Sequence, residues 1–157
     1  MSIWKKILFT IIFIGFYFLI LRPIRSYTAQ LIKPAIEVQQ IEAYFQSSVS
    51  ITFTYTDKEL LKSFLFKMPF GLFFLISAIT LIFINAEWTD FGLLVSIQLS
   101  LWIVAYVAMI IGSKGNLFFL ELMDLIIRYL LSLFSLGFPA YIIIQRRMNM
   151  EATVYES

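Results

Sequence analysis

The chain has 157 residues, of which 61% are hydrophobic and 14% are charged, and its mean hydropathy is +0.88. Soluble domains have roughly a quarter of their residues charged, so this composition predicts a polytopic integral membrane protein. The formal net charge of +2 arises without a block rich in Lys and Arg, which argues against nucleic-acid binding.

Cysteine and histidine are both absent from the sequence. Thiol nucleophiles, imidazole acid–base groups, disulfides and the usual zinc sites are therefore excluded. We expect no catalytic residue, no metal ligand and no cofactor, and we predict that the chain is not an enzyme. Carboxylates alone can support hydrolysis, but the hydrophilic segment has no second carboxylate pair at a useful spacing.

The first predicted element is the apolar run Ile7–Leu21, which follows Lys5 and Lys6 and precedes Arg22. At about 1.5 Å per residue it is about 22 Å long, shorter than the roughly 30 Å hydrocarbon core, so the flanking basic residues are expected at the interfaces. No small residues of the kind found at cleavage sites follow it. Residues 1–24 are therefore predicted to be an uncleaved N-terminal transmembrane signal anchor.

Residues 25–67 are predicted to form a small extracytoplasmic segment. Pro34 suits the first turn of a helix, and Val38, Ile41 and Phe45 would form its apolar stripe, which predicts a short amphipathic helix. A second short helix is predicted over Lys58–Phe66, near the membrane surface.

Between these predicted helices, Ser48–Tyr55 alternates polar and apolar residues, which is typical of a strand. Its only partner in the segment would be the weak strand Arg25–Ala29, so the backbone groups of a lone strand are predicted to pair with another chain. The alternatives are a weakly ordered stretch on the membrane or a local hairpin. The side chains on its apolar face, and the candidates for strand pairing, are Val49, Ile51, Phe53 and Tyr55.

Residues 68–147 are predicted to form a three-helix transmembrane bundle, with spans at Met68–Ile84, Phe91–Ile111 and Leu117–Ile144. The connecting loops are short, so consecutive spans should be antiparallel neighbours. Residues 148–157 are predicted to be a flexible cytoplasmic tail. The expected fold class is an all-α integral membrane protein with four transmembrane helices and a small helix and strand segment between the first two.

The orientation follows from two opposing signals. Four spans place both termini on one side, and the distribution of Lys and Arg favours having the long hydrophilic segment inside. However, a short N-terminus with Lys5 and Lys6 before an apolar run resembles the start of a signal anchor. We predict that both termini are cytoplasmic.

The fourth apolar run carries three ionisable residues on one helical face, namely Glu121, Asp124 and Arg128, which we call the ionic face. The i, i+4 order of Asp124 and Arg128 favours a salt bridge within the helix, and charged groups at membrane depth mark functional sites or partner contacts. The ionic face is predicted to be a docking site or a proton-linked site. The alternative is a self-neutralising pair at the interface, and Arg128 is the residue on which the functional interpretation depends.

The third span carries Ser96, Gln98 and Ser100. Small and amide side chains commonly join transmembrane helices, so these residues are predicted to pack helices together. A channel lining is the alternative, but the sequence shows neither a ring of carboxylates nor matching halves. The many aromatic residues are expected to face lipid and the interfaces.

The arrangement of the chain resembles the small accessory membrane proteins of bacterial exosortase systems. The resemblance depends on Leu21–Arg25 after a signal anchor, on Lys67–Gly71 opening a three-span bundle, and on Arg146 and Arg147 closing it. Exosortases are membrane transpeptidases that process sorting signals during envelope export. Their catalytic cysteine, arginine and histidine have no match here, so the resemblance implies an accessory role only.

The sequence therefore predicts a non-enzymatic accessory subunit of a complex in the bacterial inner membrane, associated with exosortase-dependent sorting or envelope export. The expected partner is another integral membrane protein such as an exosortase-like transpeptidase, or a second copy of the chain, in a lipid bilayer and without nucleic acid. The alternative is a small transporter or ion-conducting oligomer that uses Glu121, Asp124 and Arg128.

Overall fold

The structure is a computed structural model that describes residues 2–36, 41–57 and 60–155. Helices make up most of it, and a small antiparallel sheet lies between the second and third α-helices. Two short π-helical turns, Tyr17–Leu21 and Ile126–Leu130, interrupt longer helices without breaking them. The α-helices are α1 (Ile3–Phe16), α2 (Arg22–Ile36), α3 (Leu72–Phe83), α4 (Trp88–Gly112), α5 (Leu117–Leu125) and α6 (Leu131–Tyr155).

The first predicted span is part of a longer helix, because α1, the π-helical turn and α2 are continuous. Pro23 explains the π-helical turn, since it has no amide to offer the carbonyl of Leu19 and its ring would clash there. The backbone instead widens, and the Arg22 amide bonds to the carbonyl of Tyr17. The weak strand predicted at Arg25–Ala29 is therefore wrong, because those residues lie in α2.

The hydrophilic segment forms a three-stranded antiparallel sheet in the order β1, β2, β3. The strands are β1 (Ile41–Ser47), β2 (Ser50–Asp57) and β3 (Leu60–Lys67). The apolar faces align because Ile51 lies opposite Phe66 and Phe53 lies opposite Phe64. All four of these side chains are buried, and the sheet face they share is one side of the protein core.

Two predicted helices are wrong in this segment. The first helix was predicted to start at Pro34, but Pro34 is near the end of α2. Of its predicted apolar stripe, Val38 lies outside the described residues, and Ile41 and Phe45 lie in β1. Lys58–Phe66 was expected to be helical, yet its described residues form β3. The apolar residues of this segment fit both a helical and an alternating pattern. Burial of alternate residues against β2 favours the strand.

The prediction of a lone strand is also wrong, because β2 is the central strand and pairs with both neighbours. The predicted fold class is correct in that the protein is mainly helical. It is wrong in that the protein also contains a sheet and is therefore not all-α. Val49 lies in the turn before β2, while Tyr55 lies opposite Ile41 on one side and Lys62 on the other.

The core has two apolar clusters at different heights in the bundle. One lies under the sheet, where α2, α4 and α5 contribute Ala29, Ala105, Met109 and Met123. The other joins α3, α4 and α6 and contains Phe74, Leu81, Leu94, Phe138 and Ile142. The sheet is thus packed on the helices and forms one continuous structure with them.

Among the described residues, two helices are long and apolar enough to cross a membrane, Ile3–Ile32 and Trp88–Gly112. The helix predicted from Met68 begins instead at Leu72, and its 12 residues extend about 18 Å at 1.5 Å per residue. At the other terminus, α6 continues to Tyr155, so most of the segment predicted as a tail is helical.

Two basic side chains from opposite parts of the chain close one end of the bundle. Lys6 Nζ donates to the carbonyl of Phe83 at 2.6 Å, and Arg146 Nη1 donates to the carbonyls of Ile84 and Asn85 at 3.1 Å each. Arg146 Nη2 also pairs with Asp90 at 3.2 Å. The helix C-terminal carbonyls of α3 are satisfied in this way.

The close approach of α4 and α5 depends on Gly112. A Cβ at this position would lie 2.6 Å from Leu120 Cδ2 and 2.9 Å from the Leu120 backbone nitrogen, and Leu120 is fully buried. We expect Gly112→Ala to lower the free energy of unfolding by about 1–3 kcal/mol through overpacking. Thermal unfolding in mild detergent measures the change.

Gly92→Ala is the matched control, because it lies on the same helix and an added Cβ there meets nothing within 4 Å. Alanine is the better helix former, so this variant should be as stable as the parent protein or more stable. Equal unfolding temperatures for both variants would contradict the close packing at Gly112.

Candidate functional site

The ionic face lies against the sheet. Lys62 on β3 donates from Nζ to Glu121 Oε1 on α5 at 2.8 Å. Both side chains are about half exposed, at 43% and 54%, so this pair contributes at most about 1 kcal/mol to stability. Its main effect is to fix where β3 meets α5.

Asp124 makes the stronger contact with the sheet. Its Oδ1 accepts the backbone amide of Leu65 at 3.0 Å and Nε of Arg128 at 2.7 Å. The Asp124 side chain is only 21% exposed, so water competes weakly for these bonds. One carboxylate thus holds the outer edge of β3 and neutralises the arginine on the next turn.

This contact covers an edge strand, where unpaired amides would otherwise be open to other chains. Apolar packing accompanies it, since Phe66 on β3 meets Trp102 and Tyr106 of α4 at ring distances of 6.0 Å and 6.4 Å. The ionic face therefore contacts the sheet of its own chain, and Asp124 and Arg128 form the pair that the alternative interpretation describes, while docking to another protein stays a prediction. Lys62 was missed because it was assigned to a helix.

The polar residues of α4 divide into one buried residue and two exposed ones. Gln98 Nε2 donates to the Leu131 carbonyl at 3.3 Å and to Ser135 Oγ, and both partners belong to α6. Ser96 bonds within its own helix to the carbonyl of Gly92, and Ser100 is exposed. The structure thus places Gln98 alone, of the three predicted packing residues, between helices.

α3 joins the same polar cluster. Ser77 Oγ donates to the carbonyl of Phe73 at 2.8 Å and also contacts the carbonyl of Ser135. Gln98, Ser77 and Ser135 are all buried. A buried polar side chain is unfavourable unless it is hydrogen-bonded, and these contacts supply the hydrogen bonds. The cluster links α3, α4 and α6 between the two apolar cores.

Arg25 is a buried basic residue whose sequence context predicted only a flanking motif and the start of a weak strand. It is 9% exposed, and it donates from Nη1 to the Tyr17 hydroxyl and from Nη2 to the Met68 carbonyl, both at 3.1 Å. It lines a cavity of about 220 Å³ together with residues of the Lys67–Phe74 stretch, α4, the second π-helical turn and α6. We call this the Arg25 cavity.

No group of three or more His, Cys, Asp or Glu side chains within residues 2–36, 41–57 and 60–155 could hold a metal ion. Comparisons with protein-family models, with curated proteins and with solved structures found no match. The function is therefore proposed from the sequence and the structure of this chain.

The contact between Asp124 and Leu65 can be tested by hydrogen exchange. Asp124→Ala leaves the Leu65 amide unpaired and Arg128 without its carboxylate, and a hydrogen bond to a charged group contributes about 1.5–3 kcal/mol. We expect amide protection across β3 to fall about tenfold or more. Mass spectrometry of exchanged peptides that cover Leu60–Lys67 gives the measurement.

Glu121→Ala is the control, since it removes a charge on the same helix but only an exposed ion pair. Protection of β3 should then change by less than about threefold. If Asp124→Ala left protection of β3 unchanged, the assigned role of Asp124 would be wrong.

Proposed function

We propose that the protein is a non-enzymatic accessory subunit of a complex in the bacterial inner membrane, associated with an exosortase-like transpeptidase. The observation that carries the proposal is the exposure of the N-terminal helix. Only 6% of the apolar window within Ile3–Ile32 is buried inside the chain. A surface this apolar must face lipid or another membrane protein.

The sheet supplies a second contact surface for a partner. β3 is covered by α5 through Asp124, and β2 is paired on both sides, whereas β1 pairs with β2 alone among the described residues. A free strand edge favours addition of a strand from another chain, which provides affinity through main-chain hydrogen bonds. Pairing with another chain was predicted from the sequence for the strand that is now β2. In this proposal β1 is the strand that pairs with the partner.

A multi-pass arrangement with both termini in the cytoplasm accompanies the proposal. Lys6 and Arg146 bond to neighbouring carbonyls at one end of the bundle, which supports placing both termini on the same side. α3, with Met68–Gly71 before it, and the long helix from Leu117 would be the second and fourth spans. The signal-anchor character of residues 1–24 favours the cytoplasm for that side.

The chemistry of the proposed complex would come from the partner, because the sequence has neither cysteine nor histidine. The conducting alternative receives no support from the ionic face, since Glu121 is paired with Lys62 and Asp124 holds both Leu65 and Arg128. These contacts commit the two carboxylates to holding the sheet.

Ala43 allows the free edge to be blocked without breaking the sheet. The Leu65 amide bonds to Asp124 and so points away from β2. Thr52 of β2 lies opposite Leu65, and in an antiparallel pair its backbone groups must then point toward β1, where Thr52 pairs with Tyr44. The next residue, Ala43, then directs its amide outward. Ala43→Pro removes that outward amide, whereas Ala43→Val retains it and suits a strand.

We therefore expect the tagged chain to co-purify in mild detergent with the exosortase-like transpeptidase of its native host. Ala43→Pro should reduce recovery of the transpeptidase at least about fivefold, and Ala43→Val should not. Deleting the gene for the chain should also slow processing of proteins that carry sorting signals.

Purification of a monodisperse monomer without the transpeptidase, together with normal processing in the deletion strain, would overturn the accessory role. Equal recovery with Ala43→Pro and Ala43→Val would remove β1 from the interface. Thermal unfolding of both variants checks that each one folds.

A further inference from the structure

Within the described part of the chain, Arg25 is a buried cation without an anionic partner. Its two hydrogen-bond acceptors, the Tyr17 hydroxyl and the Met68 carbonyl, are both neutral, and the described lining of the Arg25 cavity contains no carboxylate. Among the described residues no ion pair to Arg25 is present. A guanidinium has five N–H donors, so most of them remain unmatched, and Nε is buried without any partner.

Burying such a group is unfavourable unless something compensates for it. The desolvation of an unpaired charge is strongly unfavourable, and two neutral acceptors offset it only in part. Structural arginines at this level of burial usually meet a carboxylate. An oxyanion that enters the cavity would supply the missing acceptors, because the planar guanidinium matches carboxylate and phosphate groups with two parallel bonds.

A second cation lies at the same cavity. Lys67 is exposed and lines it, and the described residues offer Lys67 no carboxylate within ion-pair distance. The other polar lining residues, Gln98, Ser132 and Ser135, are neutral. The described lining of the cavity thus combines one buried and one accessible positive charge and contains no negative group, which favours a ligand with two negative charges or a delocalised negative charge, such as phosphate.

The depth of Arg25 matches the level of lipid phosphates. Lys6 lies at the opposite end of the helix, on the side where Trp4 and Trp88 are strongly exposed as in an interfacial belt. From Lys6 to Arg25 the helix rises roughly 28 Å at 1.5 Å per residue, close to the hydrocarbon thickness of about 30 Å. Arg25 is therefore at the other interface.

The wall of the cavity also suits a lipid. Leu72 and Phe73 line it and are 61% and 43% exposed, so the cavity opens beside apolar surface on α3. A phospholipid could place its phosphate against Arg25 and Lys67 and its acyl chain along this surface.

We propose that the Arg25 cavity binds a phosphate group, presented by an anionic phospholipid headgroup or free in solution. Arg25 binds the phosphate oxygens from inside the cavity, and Lys67 binds them from the rim. The site requires that the N-terminal helix spans the bilayer, but it requires no partner protein.

Native mass spectrometry of the purified full chain in mild detergent tests the proposal with three probes. They are phosphatidylglycerol, diacylglycerol with the same acyl chains but no phosphate, and inorganic phosphate. We expect the chain to retain phosphatidylglycerol and not diacylglycerol. Arg25→Gln should weaken retention at least about tenfold, whereas Arg22→Gln should not, because Arg22 is exposed on the same helix.

Displacement of phosphatidylglycerol by millimolar inorganic phosphate would identify a soluble phosphate as the physiological source, and lack of displacement would identify the lipid. Both results support the site. Equal retention of diacylglycerol, or equal losses with Arg22→Gln and Arg25→Gln, would overturn it, because retention would then depend on acyl chains or on total charge.

Removal of Arg25 could also prevent folding, so the rim residue provides a second pair of variants. Lys67→Gln should reduce retention of phosphatidylglycerol several-fold, and Lys114→Gln, an exposed loop residue with the same change in charge, should leave it unchanged. No difference between these two variants would overturn the proposal even if Arg25→Gln does not fold. Since the assay uses the purified chain alone, its result is independent of the test of the accessory role.

Discussion

The carboxylate of Asp124 holds the amide of Leu65, and together with the Lys62–Glu121 pair this bond positions β3 against α5. Backbone groups removed from water must be paired, and in the described part of the chain β3 has no further strand to pair with on this side. A single side chain on the α5 helix supplies the acceptor, and Arg128 balances the charge it brings. The apolar face of β2 and β3 closes over α4 and α5 beside this polar contact.

The rest of the molecule repeats this combination of apolar packing with a few well-placed polar contacts. Gln98 and Ser135 join helices between the two apolar clusters, and Lys6 and Arg146 satisfy carbonyls at one end of the bundle. In lipid the apolar surfaces alone give little preference for one arrangement of helices, because acyl chains are equally apolar. The polar contacts therefore specify which faces meet.

The elements that sequence analysis predicted well are those with one dominant period. The alternation around Ile51 and Phe53 indicates a strand, and the long uniform apolar run of α4 indicates a helix that could cross a membrane. β3 was missed because its apolar residues fit a helical period as well as an alternating one, and only burial against Phe53 and Ile51 decides between them. The ionic face was identified, but its partner Lys62 lies 59 residues away, a pairing that periodicity does not encode. The burial of Arg25 was missed because a sequence does not show whether a cation is buried without a counterion.

The π-helical turn at Tyr17–Leu21 sets the rotation of the N-terminal helix. Residues eight apart, such as Tyr17 and Arg25, lie about 80° apart around a regular α-helix, but the extra residue of a π-helical turn reduces that offset to about 20°. Tyr17 therefore reaches the guanidinium on the same face. If the same residues formed a regular α-helix, everything before this turn would rotate by about 100°, turning Lys6 away from α3 and Tyr17 away from Arg25. The widened geometry of this turn is consequently under tighter constraint than the composition of the helix, whose exposed apolar positions are free to vary among apolar residues.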